Sequence, residues 1–379
     1  MKLMNRARLA VLAATAVFTL AGCGSTTTHE PTELKKIREV VEGVEVWSID
    51  VGESLTGLLT PVVTPNAVFA AGEQTIYRLN PTDGETVWKV ELKSPITAGV
   101  GSDGHVVAVA TAAGELEVFD EDGKALWKVK LSSEMNVPPL IGSGFVIVRT
   151  ADTRVTAFDA MTGERKWRYQ AQTPALTVRS AAQMRFSPAG VLIGQANGRL
   201  LALNAQGHTV FDAVIAQPKG ITEVERLCDV VGTPLVDAQM MCAAAFQGNV
   251  LCMSAKNGRT LWRNEVDAVT GPVSDGERVF VVTSRGEINA YDYQTGKPLW
   301  VNKDLTWRTP SAPVVMDRDV IALGDFDGEI HLMDSRTGEI IGRTDVDGAV
   351  RVQPVPMGEG ALIQTVEGEL TYLRIEKKE

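Results

Sequence analysis

Residues 83–88 read DGETVW, and the same phrase returns as DGKALW (122–127), TGERKW (162–167), NGRTLW (257–262) and TGKPLW (295–300). Weaker copies are QGHTVF (206–211) and TGEIIG (337–342), and VEGVEVW (41–47) opens the series. The final positions of successive copies are separated by 41, 39, 40, 44, 51, 38 and 42 residues. A near-constant period in this range indicates tandem structural repeats.

Each repeat has the sequence pattern of short antiparallel strands. In VFVVTSRGEINAYDYQTG (279–296), apolar and polar residues alternate, valine is frequent, and Gly286-Glu287 stands where a tight hairpin needs a positive φ. A Pro-x-Val run such as Pro272-Val273 begins a repeat, and an Asp-x-x-Thr-Gly turn precedes its last strand. We therefore predict four strands in each unit, labelled A to D from the Pro-x-Val run to the aromatic residue.

Eight units of about forty residues predict an all-β, eight-bladed β-propeller of four-stranded antiparallel blades. The last unit has chain for only three strands, whereas EVWSIDV (45–51) is a fourth-strand phrase with no A to C strands before it. We expect this N-terminal strand to complete the last blade and close the ring, which hides strand edges. An open solenoid is the alternative. The tryptophans are expected to pack between neighbouring blades rather than to form a ligand cage.

The N-terminus has the pattern of a lipoprotein leader. A basic start is followed by an apolar run that is too short to span a membrane, and the run ends in Leu20-Ala21-Gly22-Cys23. This sequence resembles a bacterial lipobox. The residue after the cysteine is Gly24 and not Asp, which in lipoproteins of this kind implies transfer of the protein to the outer membrane. We expect a signal peptide at 1–22, a lipidated Cys23 with a flexible tether at 23–43, and the propeller at 44–379. Twenty flexible residues reach about 25 Å on average.

The charge of the chain argues against nucleic acid as a partner. The leader carries three basic residues and no acidic one, so its removal leaves 34 basic against 47 acidic residues and a net charge of −13. Such an acidic surface lacks the basic footprint that nucleic acid requires.

Few residues have the spacing of a catalytic, cofactor or metal site. His105, His208 and His331 do not stand at metal-ligand spacing, and Asp325-Phe-Asp327-Gly328 lacks the distal glutamate of a calcium loop. Residues 99–104 match G-x-G-x-x-G, but a strand follows instead of the helix that a dinucleotide needs. We predict no catalytic residue, cofactor or metal. Cys242 and Cys252 flank a hairpin, and both a disulfide and two buried free thiols remain open.

Two adjacent repeats are longer than the others. Their extra residues fall in D-to-A connections, which are expected on one face of the propeller. These connections are AQTPALTVRSAAQ (171–183) and IAQPKGITEVERLCDVVG (215–232). They offer apolar residues and arginines, which are typical of binding hot spots. The predicted patch consists of Leu176, Val178, Arg179, Arg226 and Asp229. Two alternatives remain open: Leu176 and Val178 pack inward as strand-entry residues, or Trp307-Arg308 extends the patch.

The repeat is similar to the tryptophan repeat of pyrroloquinoline-quinone proteins, and nearly the whole chain resembles the BamB family of lipoproteins in the outer-membrane β-barrel assembly machinery. Leu176-Thr-Val178-Arg179 matches the family's Leu-x-Leu-Arg stretch, and residues 222–229 match its Thr-Glu-x-x-Arg-Leu-x-Asp stretch. The resemblance implies that Leu176, Val178, Arg179 and Asp229 bind the periplasmic POTRA domains of BamA. One departure is Val231, which stands where the family has a second acidic residue.

We thus expect a non-enzymatic scaffold at the outer membrane, with its propeller in the periplasm, that assists the insertion of β-barrel proteins. Its expected partners are the BamA POTRA domains, the rest of the assembly complex and unfolded outer-membrane protein substrates. A quinone-dependent periplasmic dehydrogenase is the enzyme alternative, although such enzymes are usually much longer and carry adjacent cysteines and a calcium-binding acidic set. A binding module for an unrelated partner is the third.

Overall fold

The computed structural model describes residues 29–171, 176–178, 182–317 and 319–378. The chain divides into two compact units, Met1–Pro31 and Thr32–Glu379. In the first unit the described residues are 29–31, which are exposed and form no strand. Every regular element in the described ranges is a β-strand. Within them, no helix is long and apolar enough to cross a membrane.

The strands of the second unit are numbered along the chain. They are β1 (Val41–Asp50), β2 (Val62–Thr64), β3 (Ala67–Gly72), β4 (Thr75–Leu79), β5 (Thr86–Glu91), β6 (Ile96–Ser102), β7 (Val106–Thr111), β8 (Glu115–Asp120), β9 (Ala125–Lys130), β10 (Leu140–Gly142), β11 (Phe145–Arg149), β12 (Arg154–Asp159), β13 (Arg165–Gln170), β14 (Arg185–Ser187), β15 (Gly190–Gly194), β16 (Arg199–Leu203), β17 (Thr209–Val214), β18 (Val230–Val236), β19 (Met240–Ala245), β20 (Gly248–Ser254), β21 (Thr260–Val266), β22 (Val273–Ser274), β23 (Arg278–Val282), β24 (Ile288–Asp292), β25 (Pro298–Asn302), β26 (Val314–Asp317), β27 (Val320–Gly324), β28 (Glu329–Asp334), β29 (Ile340–Asp345), β30 (Val355–Met357), β31 (Gly360–Gln364) and β32 (Glu369–Lys377).

These strands form eight four-stranded antiparallel sheets, which confirms the predicted eight-bladed propeller. Blade 1 is β2–β5, and each following group of four consecutive strands makes the next blade up to blade 7, β26–β29. Blade 8 has the order β1-β32-β31-β30, so the N-terminal strand completes the last blade as expected. The pairing runs from Val41 opposite Lys377 to Asp50 opposite Glu369.

The D-to-A connections and the B-to-C turns share one side of the ring, which we call the D-to-A face. Leu131 N donates to Gly114 O in blade 2, and Ile215 N donates to Gly198 O in blade 4. Each bond joins the end of a D strand to a B-to-C turn. The C-to-D turns, such as the one between β8 and β9, therefore lie on the opposite face.

The core lies in the middle strands of the blades and between neighbouring blades. All residues of β3 and β7 are buried, whereas the outer strand β5 alternates between exposed and half-buried residues. One core cluster joins Cys242 and Trp262 of blade 5 to Val279 and Tyr291 of blade 6. Burial of each large apolar side chain stabilises the fold by about 1.5–3 kcal/mol, so each blade depends on its neighbour.

The repeated phrase makes an interlock between blades. The Trp262 indole N–H donates to Tyr293 O at 2.9 Å, and the ring covers Gly296, where an added Cβ would stand 2.5 Å from it. Gly296 has a φ of +69°, so it serves both the turn and the close approach. The aromatic residue of one copy thus packs on the turn glycine of the next, as expected for inter-blade tryptophans. The other pairs are Trp47 with Gly84, Trp88 with Gly123, Trp127 with Gly163, Trp167 with Gly207, Phe211 with Gly258, and Trp300 with Gly338.

Blade 7 departs from the interlock because the N-terminal chain crosses it. Its aromatic position is Gly342, where an added Cβ would meet Val41 O at 2.2 Å. Gly43 is equally crowded, since its Cβ would lie 2.5 Å from Thr344 Cγ2. Glycine replaces the aromatic residue at position 342 because the backbone at the start of β1 occupies the space that a side chain would need.

The N-terminal part of the second unit differs from the expected tether at 23–43. β1 begins at Val41, three residues before the expected start of the propeller. Contact with the blades begins earlier still, because Thr32 N donates to Thr306 O at 3.0 Å. Leu34 and Ile37 pack against the core cluster of blades 6 and 7, which explains why this stretch is not free. Cys23 and the rest of the expected leader lie outside the described residues.

The two open cysteine alternatives resolve into a disulfide. Cys242 in β19 and Cys252 in β20 stand directly opposite each other, with a Cα–Cα distance of 4.1 Å, and their sulfurs are bonded. Cys228 is a buried free thiol. The disulfide therefore links the two middle strands of blade 5.

Candidate partner-binding site

The two long D-to-A connections meet on one face, and one hydrogen bond joins them directly. Val178 N in the first connection donates to Asp229 Oδ2 in the second at 2.9 Å. The second connection is also tied to the body of the propeller, because Val230 N donates to Gln195 O and Phe246 N donates to Asp229 O. The two insertions flank blade 4, and Val178 and Asp229 bring them into contact.

Leu176 and Val178 are the apolar part of this surface. Their exposed fractions are 42% and 38%, so neither packs inward as a strand-entry residue. The backbone of Val178 is held from below by Asp229 while its side chain stays accessible. Arg179, predicted beside them, lies outside the described residues.

Asp229 occupies a different position from the one expected of a contact residue. It is only 1% exposed, and burial raises the pKa of its carboxyl from 3.8 to about 6, against the opposing effects of the Val178 N–H and the Arg149 guanidinium. Arg149 itself donates to Ala182 O at 3.0 Å, and burial lowers its pKa while Asp229 raises it. Arg149, Asp229 and Thr177 are among the residues that line a small cavity of about 50 Å³. The carboxylate is thus turned inward, where it positions the loop that displays Leu176 and Val178.

Val231, where the family has a second acidic residue, is part of the core. It is 3% exposed and pairs with Ala244 in the sheet of blade 5. Its side chain packs with the cluster between blades 5 and 6. A valine here therefore adds apolar burial, and of the two acidic positions only Asp229 keeps its carboxylate.

Arg226 lies in an exposed turn that the residues around it stabilise. The Glu225 carboxylate accepts hydrogen bonds from Ile221 N and Thr222 N, both at 2.9 Å, and Thr222 Oγ1 accepts one from Glu225 N at 3.2 Å. These bonds lower the pKa of Glu225, with the Thr222 backbone N–H the largest cause. The reciprocal pattern is that of a capping box.

This turn displays two apolar residues that the sequence analysis did not select. Ile221 is 96% exposed and Val224 is 61% exposed. The sequence did contain a sign that this segment is ordered, since the Thr-x-x-Glu spacing at 222–225 is typical of a capping box. We use the name docking patch for the exposed residues of the two connections, Leu176, Val178, Ile221, Val224 and Arg226.

Arg308 of the Trp307-Arg308 pair does not add an exposed arginine to the patch. Arg308 is 5% exposed, and its Nε donates to Asp325 Oδ2 at 2.5 Å. The same carboxylate oxygen lies 2.9 Å from Nε2 of the buried His331. Asp325 therefore belongs to a buried ion-pair cluster. Across the described ranges, no group of three or more His, Cys, Asp or Glu side chains is arranged to hold a metal ion.

Comparison with known proteins identifies the family. The sequence profile described as outer membrane protein assembly factor BamB matches residues 72–302. A relative from Burkholderia pseudomallei (strain K96243), named outer membrane protein assembly factor BamB, is 37% identical over 97% of this chain and 98% of its own length.

The chain belongs to the BamB family.

Solved structures support the same assignment. The crystal structure of BamB from Moraxella catarrhalis superposes with a TM-score of 0.81 at 29% identity, over 88% of this chain and 99% of that one. A quinohemoprotein alcohol dehydrogenase from Comamonas testosteroni gives a TM-score of 0.67 at 13% identity, over 87% of this chain and 76% of that one. The second likeness shows a shared propeller fold alone, so it does not favour the dehydrogenase alternative over the BamB assignment.

Proposed function

We propose that this BamB-family protein is a non-enzymatic scaffold that binds the POTRA domains of BamA through the docking patch and so assists the insertion of β-barrel proteins. Lipid on Cys23 anchors it to the outer membrane, and the propeller faces the periplasm. The observation that carries the proposal is the Val178–Asp229 hydrogen bond, which joins the two insertions. The charged contacts come from Arg179 and Arg226.

The patch has the properties of a binding hot spot. It combines exposed apolar residues with arginine, and carboxylates hold the Val178 backbone and the turn at residues 221–225 in place before a partner arrives. Preorganised loops lose less conformational entropy on binding, so more of the contact energy appears as affinity. Asp229 acts as a positioning residue in this scheme.

Binding of purified POTRA domains, measured by calorimetry, tests the proposal. Leu176→Asp combined with Val178→Asp should weaken binding about tenfold or more, because central apolar contacts are lost and two charges are introduced. Ile221→Ala, Arg179→Glu and Arg226→Glu should each weaken it by a smaller factor. The matched control is Val87→Asp in β5 of blade 1, since Val87 is 58% exposed and lies away from the patch.

Asp229 has its own pair of variants. Asp229→Ala removes the acceptor for Val178 N and should weaken binding, whereas Asp229→Asn keeps an acceptor oxygen and should retain most of it. Unchanged affinity in the double aspartate variant would exclude the docking patch. Wild-type protein that fails to bind any POTRA domain would instead support the reading as a module for another partner.

Two hypotheses describe what happens after docking. In the first, the propeller holds the POTRA chain in a productive orientation. In the second, exposed D strands of the blades pair with unfolded substrate strands by β-augmentation. Crosslinking of a substrate in transit to D-strand positions such as Val87 separates them, because only the second hypothesis places substrate there.

A further inference from the structure

Residues Thr32–Val41, which we call the strap, are fastened to blade 7 and the adjoining loop by backbone contacts. Thr32 N donates to Thr306 O at 3.0 Å, and Val40 N donates to Ile341 O at 2.8 Å. Between them, Arg343 Nη1 donates to Lys35 O at 2.7 Å. The strap is therefore held at both ends and in its middle.

Apolar and charged side chains add to these contacts. Leu34 and Ile37 are half-buried and pack against the cluster that contains Leu305 and Ile340. Lys35 Nζ lies 2.5 Å from Asp304 Oδ1 in the connection between β25 and β26. The apolar anchors are three residues apart and pack against the same core cluster, which joins blades 6 and 7.

A buried charge cluster orients the two arginines that hold the strap. Arg308 pairs with Asp325 and also directs Nη1 toward Thr32 O at 3.5 Å. Arg343 Nε lies 3.4 Å from Nδ1 of His331, which itself contacts Asp325. Asp325 holds the guanidinium of Arg308, and His331 contacts that of Arg343. Both groups are therefore already oriented to donate to the carbonyl oxygens of the strap.

The strap changes the face from which the N-terminal chain leaves the propeller. β1 is the D strand of blade 8, so its first residue, Val41, lies on the face of the C-to-D turns. The strap runs back across blade 7 and brings Thr32 to Thr306 and Arg308, which belong to a D-to-A connection. Thr32, the first residue of the strap, therefore lies on the D-to-A face, the same face as the docking patch.

The strap also shortens the free chain. Cys23 precedes Thr32 by nine residues, which span at most about 30 Å when fully extended. Without the strap, the 18 residues between Cys23 and Val41 on the opposite face would span roughly 60 Å. A blade strand of six residues is about 20 Å long, so nine residues leave little length for wrapping around the rim.

We propose that the strap turns the D-to-A face of the propeller, with its docking patch, toward the membrane that holds the lipid on Cys23. The inference rests on the lipid anchor in the proposed function. It specifies that a partner domain bound at the patch lies in the layer next to the membrane.

Energy transfer to a headgroup acceptor dye in vesicles of phosphatidylethanolamine and phosphatidylglycerol tests the orientation. The full chain, purified from membranes, carries a donor on an azide-bearing amino acid in place of Glu223 on the D-to-A face or of Asp122 on the opposite face. Transfer should be higher from position 223. Leu34→Asp combined with Ile37→Asp should release the strap and abolish the difference, with rapid hydrogen exchange over residues 32–40 as the sign of release.

A matched control changes exposed strap residues, Lys36→Ser with Arg38→Ser, and should keep the difference. Equal transfer from the two positions in the wild type, or higher transfer from position 122, would overturn the inference. The mass of the mature N-terminal peptide reports lipidation separately. If Cys23 carries no lipid, the proposed anchor fails, and chemical coupling of Cys23 to a maleimide lipid allows the orientation to be measured in the same way.

Discussion

At the scale of single residues, Asp229 shows how a family motif takes on a specific physical role. Its carboxylate is buried beside Arg149 and bonded to Val178 N, so its influence on a partner passes through the backbone of the neighbouring loop. The sequence motif marked the residue as important. It did not indicate that the side chain points inward, because that depends on a contact between residues 51 apart in the chain.

The pKa of Asp229 predicts a pH dependence of stability. Because burial raises this pKa from 3.8 to about 6, Asp229 contributes stability that is fully present below pH 3.8 and is lost as the pH rises through about 6. Asp229→Asn lacks this titration. The free energy of unfolding of the variant should therefore rise relative to wild type by about 3 kcal/mol from below pH 4 to above pH 6, measured in urea. A constant difference across this window would contradict the placement of the carboxylate.

The contact between Trp262 and Gly296 predicts a second outcome at this scale. Gly296→Ala introduces a Cβ 2.5 Å from the ring at a φ of +69°. Gly276 is the matched control, because it has a φ of +91° and nothing within 4 Å of an added Cβ. Gly276→Ala should cost about 1–2 kcal/mol of backbone strain. Gly296→Ala should cost about 1–3 kcal/mol more because the inter-blade contact is overpacked. Equal losses in thermal unfolding would mean that the ring yields freely.

At the scale of elements, the regular strands were predictable and the irregular ones were less so. Period-two alternation and turn glycines located the four strands of each blade, since both patterns follow from local geometry. The strap was missed because its sequence is mostly polar, and the two residues that anchor it, Leu34 and Ile37, pack on a core cluster of blades that are distant in sequence. Gly342 was visible in the sequence as a departure from the aromatic position, but its reason is the backbone at Val41, whose position the sequence does not give.

The disulfide in blade 5 gives a prediction for an element. It closes a loop with a sequence separation of 10 residues between β19 and β20. Replacing both cysteines by alanine should lower the free energy of unfolding by roughly 2–3 kcal/mol through the added entropy of the unfolded chain. Cys228→Ala is the control for the loss of a buried sulfur that forms no crosslink. If the double variant loses no more than twice the control, the crosslink itself contributes nothing to stability.

At the scale of the whole molecule, the number of blades and the closure of the ring could be predicted from counting. The last repeat lacks one strand, and the N-terminus has one strand too many. The simplest arrangement places the N-terminal strand in the last blade, and β1 does pair with β32. The docking patch was partly predictable, because an insertion changes the period. Ile221 and Val224 were not, since the sequence alone does not show which apolar loop residues stay in solvent.

Pairing of β1 with β32 also determines when the ring can close during synthesis of the chain. The first strand to emerge has its partner among the last residues to be synthesised, about 320 positions later. At ordinary rates of translation the interval is on the order of tens of seconds, during which β1 has an unpaired edge. The ring therefore stays open until synthesis is nearly complete, and a chain that stops short of β32 presents β1 as a free template to other unfolded proteins around it.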